Sequence, residues 1–155
     1  MRILIQRVSR ASVTVDSELI GSIGHGLVAF VGIHEADTEV EVQWMAEKTA
    51  QIRIFEDNLK KMNLSLMETG GSVLAVSQFT LYGDLKKGNR PNFMAAAEPE
   101  RAERLYEDYL TNLRGLLGTD RVANGKFRAR MAVELTNDGP VTILLQREND
   151  KTVTL

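Results

Sequence analysis

The chain of 155 residues carries 19 Lys and Arg against 21 Asp and Glu, a net charge of −2, with no cysteine. A domain of that length buries roughly 70% of its unfolded surface, so one domain spanning residues 1–155 is the simplest organisation. The lack of cysteine excludes disulfide scaffolds, thiol nucleophiles and cysteine-ligated metals, and the acidic balance argues against a general nucleic-acid coat. No apolar run approaches the ~18 residues of a membrane span. The opening Met1-Arg2-Ile3-Leu4-Ile5-Gln6-Arg7 regains charge too soon for a signal-peptide core, so a cytoplasmic protein without a membrane partner is expected.

Alternation predicts strands across residues 1 to 33: Ile3, Ile5 and Val8 in a first, Val13 and Val15 in a second, and Leu27 to Ile33 in another, with Gly21, Gly24 and Gly26 as breakers. Thr38 and Glu41 fit a capping box, and Val42, Met45, Ala46, Thr49 and Ile52 follow at helical spacing. Val73-Leu74-Ala75-Val76 reads as a short strand buried on both faces. Pro99, flanked by Glu98 and Glu100, opens a second helix that turns Leu105, Tyr106, Tyr109, Leu110, Leu113 and Leu117 inward. After it, Met131, Val133 and Leu135, then Val141, Ile143 and Leu145, alternate on either side of Gly139-Pro140, which predicts an antiparallel pair joined by a turn. Glu148 to Leu155 is polar enough to fray, although Val153 and Leu155 could pair with an edge. Two helices among many strands give an α+β class.

The side-chain machinery usual for hydrolysis is missing. There is no Gly-x-Ser-x-Gly elbow, no His-Glu-x-x-His, and the two histidines, His25 and His34, sit in a turn and at a strand end. No carboxylate cluster suggests a metal, and no cofactor is called for. Ser77 and Thr80 remain as hydroxyl candidates, and by themselves they read equally as the end of a strand. Two basic clusters, Arg121, Lys126, Arg128 and Arg130 in one, Lys86, Lys87 and Arg90 in the other, read either as solvated loops or as a phosphate track.

Four fragments in order give the chain a wider resemblance: Met1-Arg2 with Ile5-Gln6-Arg7-Val8, then Ser77-Gln78-Phe79-Thr80-Leu81, Gly88-Asn89-Arg90-Pro91, and Asn137-Asp138-Gly139-Pro140-Val141-Thr142. Together they resemble the D-aminoacyl-tRNA deacylase family, enzymes that remove a wrongly attached D-amino acid from tRNA. The resemblance implies two curved, mainly antiparallel β-sheets with two helices packed on one side, a three-layer β/β/α arrangement. It implies an active site at Ser77, Gln78, Phe79 and Thr80, in which the N–H groups of Phe79 and Thr80 hold the oxyanion, Gln78 orients substrate and Phe79 shapes the adenosine pocket. The terminal 2′-hydroxyl of the tRNA would help activate water, with Thr80 as nucleophile the competing reading.

Chiral selection falls, on the same resemblance, to Gly139 and Pro140 with Asn137, through a cis Gly-Pro bond whose carbonyls enter the partner's site in a homodimer. Arg7 would brace that motif and Met131 would line the pocket. The expected partners are therefore the aminoacylated 3′ end of tRNA and a second copy of the chain. Glycyl-tRNA should also be cleaved, because glycine has no side chain for such a gate to reject. One departure stands out: the family has Phe-Gly-Ala-x-Met where this chain reads Phe127-Arg128-Ala129-Arg130-Met131, which adds bulk and charge at the expected rim. A non-catalytic tRNA-end binder on the same scaffold, or a plain dimeric module, are the rival readings.

Overall fold

The structure, a computed structural model, describes residues 1–148 and the backbone of residues 151–154. Strand β1 (Arg2–Val15) is continuous where the alternation suggested two strands. Its buried apolar residues Ile3, Ile5, Val8, Ala11 and Val13 step by two, then by three twice, then by two again. The step from Ile5 to Val8 moves the buried set to the other face of the pleat, and the extra residue of a bulge between Val8 and Arg10 keeps Ala11 and Val13 on that new face. The pairing register shifts at the same places, between Gln6 and Val8 and between Val8 and Arg10. One strand thereby feeds two cores: Ile3 and Ile5 enter the first, Val8, Ala11 and Val13 the second. A local reading of periodicity sees the phase break as a chain break.

The hairpin partner β2 (Glu18–Ile23) follows a turn at Asp16 and Ser17, both with positive φ, and pairs with the far half of β1. Strand β3 (Gly26–Gly32) pairs with the near half. Strands β4 (Phe55–Glu56) and β5 (Met62–Leu64) form a separate ribbon, while β6 (Ser72–Ser77) and β7 (Val122–Asn124) continue the main sheet in parallel with β3. The long β8 (Ala132–Glu148) lies along the whole of β1, and β9 (Lys151–Thr154) closes the order β7-β6-β3-β1-β8-β9, with β2 attached to β1. Val153 pairs with Gln146, as an edge pairing of the terminus predicts, and Leu155 lies outside the described residues.

The class is α+β, as expected, but the main strands share one seven-stranded mixed sheet. The expected pair of sheets is not separate here, because β1 and β8 run through both halves and keep them hydrogen-bonded. The sheet folds over: the Gly21 backbone of β2 comes against Asn124 of β7 and Leu74 of β6. Val8, Val13, Val28, Leu74 and Val76 fill the space between the halves, and Leu27, Ala29, Val31, Val73 and Ala75 point the opposite way, toward helices. Burial on both faces explains the unbroken apolar runs of β3 and β6.

Three α-helices are present where two were expected: α1 (Glu39–Gln51), the single turn α2 (Leu66–Thr69), and α3 (Pro99–Leu117). Thr38 and Glu41 form the reciprocal capping box at the start of α1. Helix α3 buries Leu105, Tyr106, Tyr109, Leu110, Leu113 and Leu117, the inner side that periodicity gave it. Each such side chain contributes about 1.5–3 kcal/mol relative to exposure. A hydrogen bond of 3.0 Å between the Thr49 hydroxyl and the Tyr109 phenol ties α1 to α3 inside the core. Among the described residues no helix is long and apolar enough to cross a membrane.

The largest correction concerns Gly139-Pro140. No hairpin forms there: residues before and after the pair lie on the same strand β8 and pair in one direction along β1, from Ala132 opposite Thr14 to Gln146 opposite Arg2. Val8 faces Asn137 and Gln6 faces Thr142, which leaves Asp138 to Val141 opposite Arg7 as a bulge. Proline lacks a ladder donor, and a bulge accommodates it as well as a turn does.

Candidate active site

Where β6 ends, the Gln78 amide still donates to the Val31 carbonyl at 2.7 Å, and a single 3-10 turn, Phe79–Tyr82, follows. Inside that turn the amides of Leu81 and Gly83 donate back to the carbonyls of Gln78 and Thr80. The amides of Phe79 and Thr80 precede the first such bond, and among the described residues they donate to no main-chain acceptor. Such paired N–H groups are a ready site for a developing oxyanion. The Gln78 side-chain amide is hydrogen-bonded to the Thr80 hydroxyl, which fixes both side chains at the strand end.

Ser77, Gln78 and Phe79 form one end of a cleft of about 590 Å³. Its walls include Phe93, the Ala96–Pro99 approach to α3, Tyr106, the turn at Phe127 to Ala129, and Met131 with Val133. Phe79 is 58% exposed and meets Phe93 edge-on, with ring centroids 4.9 Å apart. Tyr106 donates to the Ala75 carbonyl at 2.9 Å, and burial pushes its phenol well above the ordinary range, so it is a wall and not a proton donor. Met131 reaches the cleft because residue 125 is glycine: a β-carbon there would stand 2.5 Å from the Met131 sulfur. The cleft is thus largely apolar and wide enough for an aromatic base, with the strand-end residues Ser77, Gln78 and Phe79 among its lining.

Arg7, Asn137, Gly139 and Pro140 are not part of that lining; they make a second assembly at the β8 bulge. The Gly139-Pro140 peptide is cis, as the resemblance implied. Gly139 has φ of +149°, and a β-carbon on it would lie 2.7 Å from the Val141 nitrogen, so only glycine fits. Asn137 closes the bulge with both ends of its amide: Oδ1 accepts from the Val141 N–H at 2.7 Å, and Nδ2 donates to the Thr142 hydroxyl at 3.0 Å. Arg7, only 6% exposed, donates from Nε to the Asp138 carbonyl at 2.8 Å and from Nη1 to the Ile54 carbonyl at 2.6 Å. The tip itself, Asp138 to Pro140, is exposed.

The sequence-derived site residues therefore divide in two. Ser77, Gln78, Phe79 and Met131 share the cleft, Thr80 stands beside it, and the Gly139-Pro140 group projects elsewhere. Phe93 and Tyr106 are cleft walls that sequence reasoning missed, Tyr106 carrying only a core-helix signal, while Phe127 lies in the Phe127 to Met131 stretch expected at the rim. Arg121 leaves the expected phosphate track, because it turns inward to the carbonyls of Leu66 and Gly71. Lys86, Lys87, Arg90, Lys126, Arg128 and Arg130 are exposed. His34 is held by the Ala36 amide and the Tyr82 ring, and His25 by Phe55, so neither histidine belongs to the cleft. Among the described residues no three His, Asp or Glu side chains gather as metal ligands.

The family model described as D-Tyr-tRNA(Tyr) deacylase matches residues 4–146. A D-aminoacyl-tRNA deacylase of Shouchella clausii is 58% identical over 150 residues, covering 96% of this chain and all of the relative, and one of Koribacter versatilis is 55% identical, covering 97% and 99%. Among solved structures, the c-Myc DNA unwinding element binding protein superposes with a TM-score of 0.91 at 42% identity, covering 96% of this chain and 99% of that one. A probable eukaryotic D-amino acid tRNA deacylase shares the fold, with a TM-score of 0.82 at 18% identity over 92% and 97% of the two chains. The family model and these relatives, each matched over nearly the whole length, define one class: the chain belongs to the D-aminoacyl-tRNA deacylase family.

Proposed function

We propose that this chain hydrolyses the ester of D-aminoacyl-tRNA, and of glycyl-tRNA, while refusing the L-forms. The observation that carries the chemistry is the pair of open N–H groups at Phe79 and Thr80 beside an apolar cleft. Water adds to the ester carbonyl, the oxygen gains charge, and the two amides hold it. The tetrahedral species then breaks its bond to the ribose oxygen, which takes a proton as tRNA leaves. The terminal adenosine occupies the apolar cleft against Phe79, and Gln78, fixed by its bond to Thr80, orients the substrate. Among the described lining residues Glu98 is the one carboxylate, and it is exposed at the helix entrance. Apart from that entrance carboxylate no acid or histidine is among the described lining residues, and the 2′-hydroxyl of the same ribose supplies the group that organises the attacking water.

Selection of handedness has to act at the α-carbon, because many side chains must be accepted. Rigid main chain suits that task. The tip at Gly139 and Pro140 is exposed, held from below by Arg7 and from the side by Asn137, and absent from its own protomer's cleft. It serves a homodimer in which each tip enters the partner's cleft, meets the α-amino group and occupies the volume of an L-side chain. Glycine presents no β-carbon and passes. The compartment is the cytoplasm, where aminoacylated tRNA is made and consumed. Matched D-, L- and glycyl-tRNA tested side by side decide the reading: release of D-tyrosine and glycine with L-tyrosyl-tRNA untouched supports it. Binding without turnover of any of them would leave a tRNA-end binding protein.

A further inference from the structure

The turn Lys126 to Ala129 is closed by the Ala129 amide donating to the Lys126 carbonyl at 3.2 Å, and Arg128 occupies its third position with φ of +66°. A positive φ at that position is the mark of a turn that favours glycine. An arginine held there carries a backbone cost that persists only where the surroundings over-determine it. The neighbouring Phe127 supplies that anchor: its ring packs on Tyr106, with centroids 5.8 Å apart, and pins the turn to the core.

The Arg128 side chain makes, among the described residues, no hydrogen bond that offsets the conformation. Among the described residues the ion pairs are Met1 with Asp37, Arg2 with Glu148 and Arg104 with Glu39, so Arg128 is unpaired although Glu98 lines the same cleft. It is exposed at that cleft, between exposed Lys126 and Arg130, in a stretch without acidic residues from Arg121 to Val133. A strained, unpartnered guanidinium beside an apolar cleft calls for an anion from outside.

We propose that Arg128 binds an internucleotide phosphate next to the terminal adenosine of the RNA and sets the affinity of the cleft for acylated tRNA. The inference rests on the placement of the adenosine in this cleft. An ester-linked amino acid has no free carboxylate and carries a positive α-amino group, so the anion available to a guanidinium is on the RNA side. The fork of donors suits phosphate oxygens, which a lysine meets only as a point charge.

The test measures KM and kcat on D-tyrosyl-tRNA across a salt series, with melting temperature, for Arg128→Gly and Arg128→Lys. Arg128→Gly should raise KM roughly two- to fivefold, in line with loss of one solvent-exposed ionic contact. It should also reduce the slope of log affinity against log salt by about 1, and raise the melting temperature by about 2 °C as the backbone relaxes. Arg128→Lys, which keeps charge and strain but loses the fork, should fall between the two in KM with no gain in melting temperature. KM and salt slope unchanged in both variants would overturn the proposal. Phe79→Ala, another lining residue, is measured alongside: if it loses turnover while Arg128→Gly behaves as wild type, the arginine alone is misassigned. If Phe79→Ala keeps full activity, the adenosine is not in this cleft and the phosphate contact falls with it.

Discussion

Arg7 Nε stands 2.8 Å from the carbonyl oxygen of Asp138, so a buried cation on β1 holds the exposed tip of β8 through main chain alone. Its Nη1 also holds the Ile54 carbonyl at 2.6 Å, which fastens the bulge to the segment after α1. Hydrogen bonds to a charged group are worth about 1.5–3 kcal/mol each, and removing the donor leaves the buried Ile54 carbonyl unpaired. Arg7→Ala should therefore destabilise the fold by about 3 kcal/mol, a fall in melting temperature of roughly 6–12 °C. Thermal unfolding measures this directly. A change below about 1 kcal/mol would mean that water replaces the guanidinium at both carbonyls.

Asn137 tests the bulge without touching a charge. Its Oδ1 accepts from Val141 while Nδ2 donates to Thr142, so the two halves of one amide span the bulge. Asn137→Asp keeps the acceptor and removes the donor, and Asn137→Ala removes both. The expected order of stability is wild type, then Asp, then Ala, with a loss of about 1–2 kcal/mol for Ala. If the tip provides the chiral gate, both variants should also hydrolyse L-alanyl-tRNA measurably while the wild type does not. Loss of D-activity with L-rejection intact would assign the bulge to catalysis and not to selection.

The same two sites show what sequence conveys and where it stops. Helices α1 and α3 were readable because their signals are local: a Thr38–Glu41 box, a proline at the first turn, and a side chain every third or fourth residue facing in. Strands β1 and β8 were misread because each changes face along its length, and alternation alone cannot tell a face change from a turn. Ser77 to Thr80 was visible as a motif, whereas the walls Phe93, Tyr106 and Phe127 come from three distant segments that only the folded sheet brings together. Tyr106 in particular obeys the same periodicity as Tyr109, yet one borders the cleft and the other is fully enclosed beside Thr49.

For the chemical step, Thr80→Ala retains the backbone N–H and loses the hydroxyl bonded to Gln78. Turnover should fall modestly, about tenfold, since only side-chain positioning is removed. A catalytic nucleophile lost in the same way costs roughly 10⁴-fold or more. Replacing the terminal 2′-hydroxyl of D-tyrosyl-tRNA by hydrogen should cost more than Thr80→Ala. Single-turnover rates on the two substrates and two enzymes settle the order, and equal rates on 2′-hydroxyl and 2′-deoxy substrates would eliminate RNA assistance.

The division of the site between cleft and tip gives the most demanding test of a composite site. Phe79→Ala damages only the cleft, and Asn137→Ala damages only the tip, so each homodimer carries two defective sites. If tips act across the dimer, a mixed dimer pairs the intact cleft of the Asn137→Ala protomer with the intact tip of the Phe79→Ala protomer. One of its two composite sites is then wild type. Co-expressed and separated by tag, the mixed dimer should leave L-alanyl-tRNA untouched, because its one working site is wild type, while it cleaves D-tyrosyl-tRNA at about half the wild-type rate. If each tip served its own cleft, the intact cleft of the Asn137→Ala protomer would keep its defective gate, and the mixed dimer would hydrolyse L-alanyl-tRNA at about half the rate of the Asn137→Ala homodimer. A fully active monomer on size-exclusion chromatography at micromolar concentration would remove the composite site altogether, because the tip is absent from the lining of its own cleft.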